Sequence, residues 1–330
     1  MKYAFSLAFA FTLVSHASLF AAEKTKPAAA AAAPSVVPPT AADVPYGEHE
    51  RQVLDFYQAK SERPTPLLFF IHGGGWVGGD KAGRTGASVK QYLAAGISVV
   101  SINYRYSWQA QLAGVKPPVK APLEDAARAL QFVRSKAKEW NIDKDRIGAS
   151  GGSAGACSSL WLAFHDDLAD PKSSDPVARE STRLLTAAVA GAQTSLDPQE
   201  LKEWTPNSRY GGHAFGFMDP NDIKTRDTRF AEFLEHRAEV LPWIKEYSPI
   251  GLVTADDPPV YLIYTNTPGL GEEQKDPTHT ANYGVKLQEK CRSVGVGCEL
   301  VYPGAPDVKH PTIDAYLIEM LAHPTNRTSK

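Results

Sequence analysis

The sequence predicts an α/β fold: a mostly parallel central sheet flanked by helices, with an insertion over one edge. Three observations predict it. Short apolar runs of strand length alternate with stretches whose apolar residues recur at helical spacing. Two of those runs lead straight into glycine turns, at residues 72–75 and 151–155. One long stretch, from about 193 to 250, breaks the rhythm.

Taken in order, PLLFFIHGG (66–74) is a β run ending in glycines, and ISVVSINY (97–104) is the next. LEDAARALQFVRSKAKEW (123–140) spaces Leu123, Ala127, Leu130, Val133, Ala137 and Trp140 as one face of a helix. DRIGAS (145–150) is a strand entering the second glycine turn, and AGACSSLWLAF (154–164) resumes the helical pattern. LLTAAVAGA (184–192), PVYLIYT (259–265) and CELVYP (298–303) are further strands. ANYGVKLQEKCRSVG (281–295) and PTIDAYLIEML (311–321) are helices. Such alternation implies a mostly parallel sheet covered on both faces. The stretch 193–250 holds Trp204, Tyr210, Phe215, Phe217, Phe230, Phe233 and Trp243 among many charges. It reads as a cap-like insertion over the carboxyl edge of the sheet, where ligands bind in such folds. Its aromatics either stack on a substrate ring or form the insertion's own core.

Of the 330 residues, 43% are hydrophobic and 22% charged, with a formal net charge of −2, which is ordinary globular composition. Charges of both signs are interspersed with no basic block, so nucleic acid is not an expected partner. The start reads as an export signal over residues 1–22. Met1-Lys2 is positive, and the apolar core is about 12 residues, short of the roughly 20 that span a bilayer. The expected location is therefore secreted or periplasmic, with no stable membrane insertion. Residues 23–43, rich in Ala and Pro, read as a tether. Residues 44–330 are then one domain. Cys157 reads as core packing, while Cys291 and Cys298 are either a disulfide pair or two buried thiols.

The turn GASGGSAG (148–155) contains two overlapping G-x-S-x-G matches, on Ser150 and on Ser153. A nucleophilic serine on a strand-to-helix turn needs the apex of that turn and small neighbours around it. Ser153 has Gly151, Gly152, Ala154 and Gly155 beside it and opens a helix, whereas Ser150 ends the strand. Ser153 is the expected nucleophile. HGGGW (72–76) follows an earlier strand, and its glycines let backbone N–H groups approach a developing oxyanion. Gly74 and Gly75, with the N–H of Ala154, are the expected donors. No G-K-[ST] follows HGGGW, which argues against a phosphate-cradling loop. His72 is read as a structural ligand of the loop, not as a base. Trp76 is taken as substrate-binding, with packing under the loop as the other reading.

HGGGWVGGDK (72–81), SINYRYS (101–107), LEDAARALQFV (123–133) and DRIGASGGSAG (145–155) resemble the α/β-hydrolase esterases of the hormone-sensitive-lipase-like and feruloyl- and acetylxylan-esterase-like branch. The resemblance runs from about Val44 to Leu321 and implies a Ser–Asp–His triad in that chain order. It implies a histidine in a PGxxH-like loop after the last strand, which here is His310 in PGAPDVKHPT, with Pro306-Asp307-Val308 as additional residues. His279, read as a helix-start residue or a substrate-side contact, and His323, read as surface, are the other histidines in this region. The acid should follow PVYLIYT, and Asp276 in DPTHTANYG fits, with Glu272 and Glu273 as alternatives. Arg105 and Asp125 are expected to form a structural ion pair. The resulting expectation is a serine carboxylesterase acting through an acyl-enzyme, with no metal or organic cofactor. Its substrates would be small or polysaccharide-linked esters such as acetyl or feruloyl groups. An exported peptidase of the same fold, and an inactive binding protein, are the competing classes.

Overall fold

The computed structural model describes residues 37–83 and 87–323. The leading segment expected to be an export signal, and most of the expected tether, lie outside the described residues. Eight strands form one sheet: β1 (Ala41–Pro45), β2 (Val53–Tyr57), β3 (Thr65–Ile71), β4 (Ser98–Ile102), β5 (Ile142–Gly152), β6 (Thr186–Ala190), β7 (Val260–Ile263) and β8 (Cys298–Val301). Their order is β1-β2-β4-β3-β5-β6-β7-β8. β1 and β2 pair antiparallel, and every pairing from β4 to β8 is parallel.

Among the described residues ten α-helices accompany the sheet: α1 (Ala87–Ala94), α2 (Ser107–Leu112), α3 (Lys120–Ser135), α4 (Ala154–Phe164), α5 (Pro198–Trp204), α6 (Phe230–Glu235), α7 (Arg237–Tyr247), α8 (Pro249–Leu252), α9 (Asn282–Val294) and α10 (Ile313–Ala322). β3 shows why both faces must be covered. Leu67, Phe69 and Ile71 point into one core with α3 and α4, while Leu68 points into a second core with α1 and α10. All four are fully buried. Each such side chain contributes about 1.5–3 kcal/mol of apolar transfer.

Three of the residues expected in the tether, Ala41 to Asp43, instead belong to β1. The strand is held by backbone pairing to β2 and is largely exposed, so it carries no apolar pattern to read. The four helices α5–α8 fill the 193–250 interval between β6 and β7. Most aromatics of this insertion pack on one another. Phe233 meets Phe215 at 5.3 Å, Phe217 at 5.3 Å and Phe230 at 6.1 Å between ring centres. They form the insertion's own core. Cys291 and Cys298 are free thiols, and Cys157 is buried on α4.

Candidate active site

The strand β5 settles the register of the glycine turn. Ser150 is still in the sheet, level with Phe70 of β3 and Ala188 of β6, and is 1% exposed. Ser153 stands beyond the strand with φ 54° and ψ −123°. That left-handed conformation costs a non-glycine residue about 1–3 kcal/mol and persists only where its surroundings dictate it. Two features dictate it here. The Ser153 N–H donates to the Ala190 carbonyl at 3.0 Å. Helix α4 begins at the next residue and passes so close to β3 that a Cβ on Gly155 would lie 2.1 Å from the Ile71 carbonyl oxygen. The turn therefore lifts the Ser153 hydroxyl off the sheet.

The imidazole that meets this hydroxyl is His279, whose Nε2 lies 2.9 Å from Ser153 Oγ. Its Nδ1 lies 2.9 Å from Asp276 Oδ2. The other oxygen of Asp276 accepts the backbone N–H groups of Thr278 and His279, each at 3.2 Å. One carboxylate thus closes the turn of DPTH and orients the ring on its far side. Because Asp276 can only accept, Nδ1 carries the proton and Nε2 is left to accept from the serine. The loop between β7 and α9 is braced from the insertion. Gln193 Nε2 donates to the Thr278 carbonyl at 2.6 Å, and Asn207 Nδ2 donates to the Gln274 carbonyl at 2.8 Å. The His279 side chain rests on Gly191, where a Cβ would meet its Cβ and Cδ2 at 3.3 Å.

His310 is not at this site, contrary to the sequence-based expectation. Its Nδ1 bonds Glu299 at 2.8 Å and its Nε2 bonds Glu319 at 3.0 Å, so both ring nitrogens are engaged between β8 and α10. It is 4% exposed and stands edge-on to Tyr316, 5.2 Å between ring centres. Burial would lower its pKa, but the two carboxylates outweigh that and raise it. The physical reason for the discrepancy is that two acids, at 299 and 319, flank His310 and hold it as a clamp. The signal that could have located the imidazole beside Ser153 was the Asp276-x-x-His279 spacing itself, which places a carboxylate and an imidazole on one side of a turn. Glu272 and Glu273, the other acids considered, make no bond to His279; that position belongs to Asp276.

The loop 72–76 lies directly against the elbow. A Cβ on Gly73 would lie 2.6 Å from the Gly152 carbonyl oxygen and 3.5 Å from Ser153 Cβ. Gly74 and Gly75 adopt φ +101° and +62°. The segments carrying Gly74, Gly75 and Ala154 are thus brought together beside Ser153. His72 Nδ1 donates to the Gly73 carbonyl at 2.7 Å while its ring stacks on Tyr104. Burial lowers its pKa to about 4, so it is a neutral strut of the loop. Trp76, expected to bind substrate, is 0% exposed, and its Nε1 donates to Ser158 Oγ on α4 at 3.0 Å. It fastens the loop to the helix from beneath. Its large apolar ring is covered by Tyr210 and His213 of the insertion. Arg105 and Asp125 form a bidentate ion pair, with Nη2 to Oδ1 at 2.7 Å.

The His279 and Asp276 side chains are 38% and 46% exposed. A hydroxyl, a neutral imidazole and a carboxylate in hydrogen-bonded series can transfer the hydroxyl proton to the ring as the oxygen attacks a carbonyl. Backbone N–H groups across from the hydroxyl can receive the resulting oxyanion.

Known proteins share this arrangement of elements. The chain superimposes on an acetyl ester-xyloside bifunctional hydrolase from Caldicellulosiruptor lactoaceticus with a TM-score of 0.58 and 23% identity, covering 81% of this chain and 87% of the other. It superimposes on a truncated carbohydrate esterase from gut microbiota with a TM-score of 0.60 and 20% identity, covering 85% and 95%. At such identities the likeness is one of fold, and the chain has the α/β-hydrolase fold. Esterase LipC of Mycobacterium tuberculosis is 28% identical over 231 residues, which are 66% of this chain and 49% of LipC. The chain spans about half the length of that relative. The BD-FAE family model matches residues 54–270, which include the 72–76 loop, the Ser153 elbow and the whole insertion, and on this evidence the chain belongs to the BD-FAE family.

Proposed function

We propose that the chain hydrolyses carboxylic esters through a Ser153 acyl-enzyme. The observation that carries this reading is the unbroken series Ser153 Oγ–His279 Nε2 and His279 Nδ1–Asp276 Oδ2, both 2.9 Å, set on the elbow and facing the glycine loop. Ser153 attacks the ester carbonyl and His279 takes its proton. Asp276 holds the ring and balances its charge. The N–H groups of Gly74, Gly75 and Ala154 hold the oxyanion, His279 returns the proton to the departing alcohol, and water then clears the acyl group.

The substrate reading is an ester of small acyl group and bulky alcohol, such as an acetylated polysaccharide. Two observations support it. Both carboxyl and imidazole stand partly exposed, which leaves room for a bulky alcohol. The two solved structures that share the fold are titled as carbohydrate and acetyl ester-xyloside enzymes. Secretion or export to the periplasm, read from residues 1–22, would bring the enzyme to such substrates; N-terminal sequencing of the mature chain checks that.

Hydrolysis of p-nitrophenyl acetate by the mature protein, beside Ser153→Ala and Ser150→Ala, tests the mechanism. The expected result is turnover abolished by Ser153→Ala and kept by Ser150→Ala. Turnover retained in Ser153→Ala overturns it.

A further inference from the structure

The insertion places a cation against the glycine loop. Arg226 follows a short turn at Ile223–Thr225. Its Nε lies 3.0 Å from both carboxylate oxygens of Asp227, and its Nη2 also bonds Asp227 Oδ2. This two-pronged grip fixes the guanidinium plane. Nη1, the remaining nitrogen, faces Gly75: it lies 3.0 Å from where a Cβ on Gly75 would stand, with Arg226 Cδ at 3.4 Å. The side chain is 32% exposed. The guanidinium therefore borders one of the expected oxyanion donors through Nη1, the nitrogen that Asp227 does not grip.

The wall behind it is polar and buried. The Tyr210 ring lies 5.4 Å from the guanidinium carbon. His213 packs edge-on against that ring at 5.0 Å, with its Nδ1 3.9 Å from Asp227 Oδ1. Tyr210 is 1% exposed and His213 is 0% exposed. Among the described residues, the Tyr210 hydroxyl meets no hydrogen-bond partner, whereas the His213 ring lies against the Gly75 backbone. Buried polar groups of this kind are uncommon in folded proteins and mark places where a ligand or solvent completes the bonding. Arg226 and Asp227, 32% and 35% exposed, are the members of the group that reach the surface.

We infer that Arg226 recognises a carboxylate carried by the ester substrate close to its scissile carbonyl, so that the enzyme selects anionic esters over neutral ones. This rests on the esterase reading. The oxyanion itself is assigned to backbone N–H groups, which leaves the guanidinium for a second group of the substrate. A carboxylate a few bonds from the carbonyl would reach the guanidinium edge while the carbonyl oxygen faces the loop. Asp227 offsets the charge of Arg226, so recognition comes from directed, charge-assisted hydrogen bonds and not from a long-range field.

Two pairs of esters test it and separate the acyl side from the alcohol side. Mono-p-nitrophenyl succinate is compared with p-nitrophenyl butyrate, and 4-acetoxybenzoate with phenyl acetate. The expected result is that wild type favours the anionic member of one pair in kcat/KM. Arg226→Gln lowers that ratio by about ten- to a hundredfold, chiefly through KM, and Arg226→Lys keeps part of it. A cooperative melt and labelling of Ser153 by a neutral fluorophosphonate certify each variant; should Arg226→Gln not melt cooperatively, Arg226→Lys carries the comparison. The inference is overturned if wild type shows no anionic preference in either pair. It is equally overturned if the variant loses kcat alike on charged and neutral esters. Failure of the esterase reading is distinct: no Ser153 labelling and no hydrolysis of any of the four esters.

Discussion

Asp276 Oδ2 and His279 Nδ1 lie 2.9 Å apart although only two residues separate them in the chain. Acid and imidazole therefore come from a single turn between β7 and α9. The carboxylate is fixed by its own loop, through the N–H groups of Thr278 and His279, before the ring ever meets Ser153. Gln193 and Asn207 then tie that turn to the insertion.

Exchanging the two histidines separates catalysis from stability. His279→Ala is expected to lower kcat by about 10⁴-fold or more, with little change in melting temperature. His310→Ala is expected to keep turnover of p-nitrophenyl acetate. It should lose roughly 2 kcal/mol of stability, because it removes two charge-assisted bonds that join β8 to α10. Steady-state kinetics and thermal melts on both variants check this. Loss of turnover in His310→Ala with activity intact in His279→Ala would reverse the assignment.

Asp276→Asn keeps the size of the side chain and removes its charge. The amide can donate where the carboxylate only accepted, which favours the wrong tautomer of His279. A fall in kcat of about 10²- to 10⁴-fold at unchanged KM is expected. A neighbouring Glu272→Gln should behave as wild type, and single-turnover acylation of Ser153 distinguishes the two.

Gly191→Ala tests the seat of the imidazole. The residue has φ +55°, and an added Cβ meets the His279 side chain at 3.3 Å, so both backbone and ring resist it. The ring should tip away from Ser153, lowering kcat by about 10–100-fold. The positive φ alone costs about 1 kcal/mol, visible in denaturant unfolding.

Stability should fall at both ends of the pH range, for different histidines. Burial lowers His72 and His213 to about 4, so in the folded state they bind fewer protons than in the unfolded chain. Their contribution is complete above the ordinary value of 6.5 and is lost as pH falls from there toward 4. His310 runs the other way. Burial opposes its charge, but Glu299 and Glu319 raise its pKa, so its contribution is complete below 6.5 and lost as pH rises through the raised value. Urea melts across pH 4 to 9 should show His310→Ala flattening the alkaline limb only.

The core strands were legible because a parallel sheet writes itself as short apolar runs: β4, β6 and β7 fall inside the runs expected for them, and β3 begins one residue before its run. Ser153 was legible because its neighbours must be small, whatever the partner residues are. β1 was not, since an exposed antiparallel edge depends on backbone pairing more than on pattern; β2, buried between β1 and β4, is a five-residue run carrying a charged Asp55 at its centre. The imidazole was misplaced because position after the last strand says where a histidine can reach, and not which carboxylates wait there. Glu299 and Glu319 lie 11 and 9 residues from His310, a juxtaposition that only the packing of β8 against α10 creates. Trp76 was equally ambiguous: a ring beside a glycine loop can face outward or down, and Ser158 on α4 decides for down.

Housing Asp276 and His279 in one four-residue turn gives the proton-handling pair the character of a cartridge. Their mutual distance is set within one loop, so the alignment the rest of the molecule must keep is that of the cartridge with Ser153. β8 and α10 carry no member of that hydrogen-bonded series; they are joined instead through His310, which bonds Glu299 and Glu319.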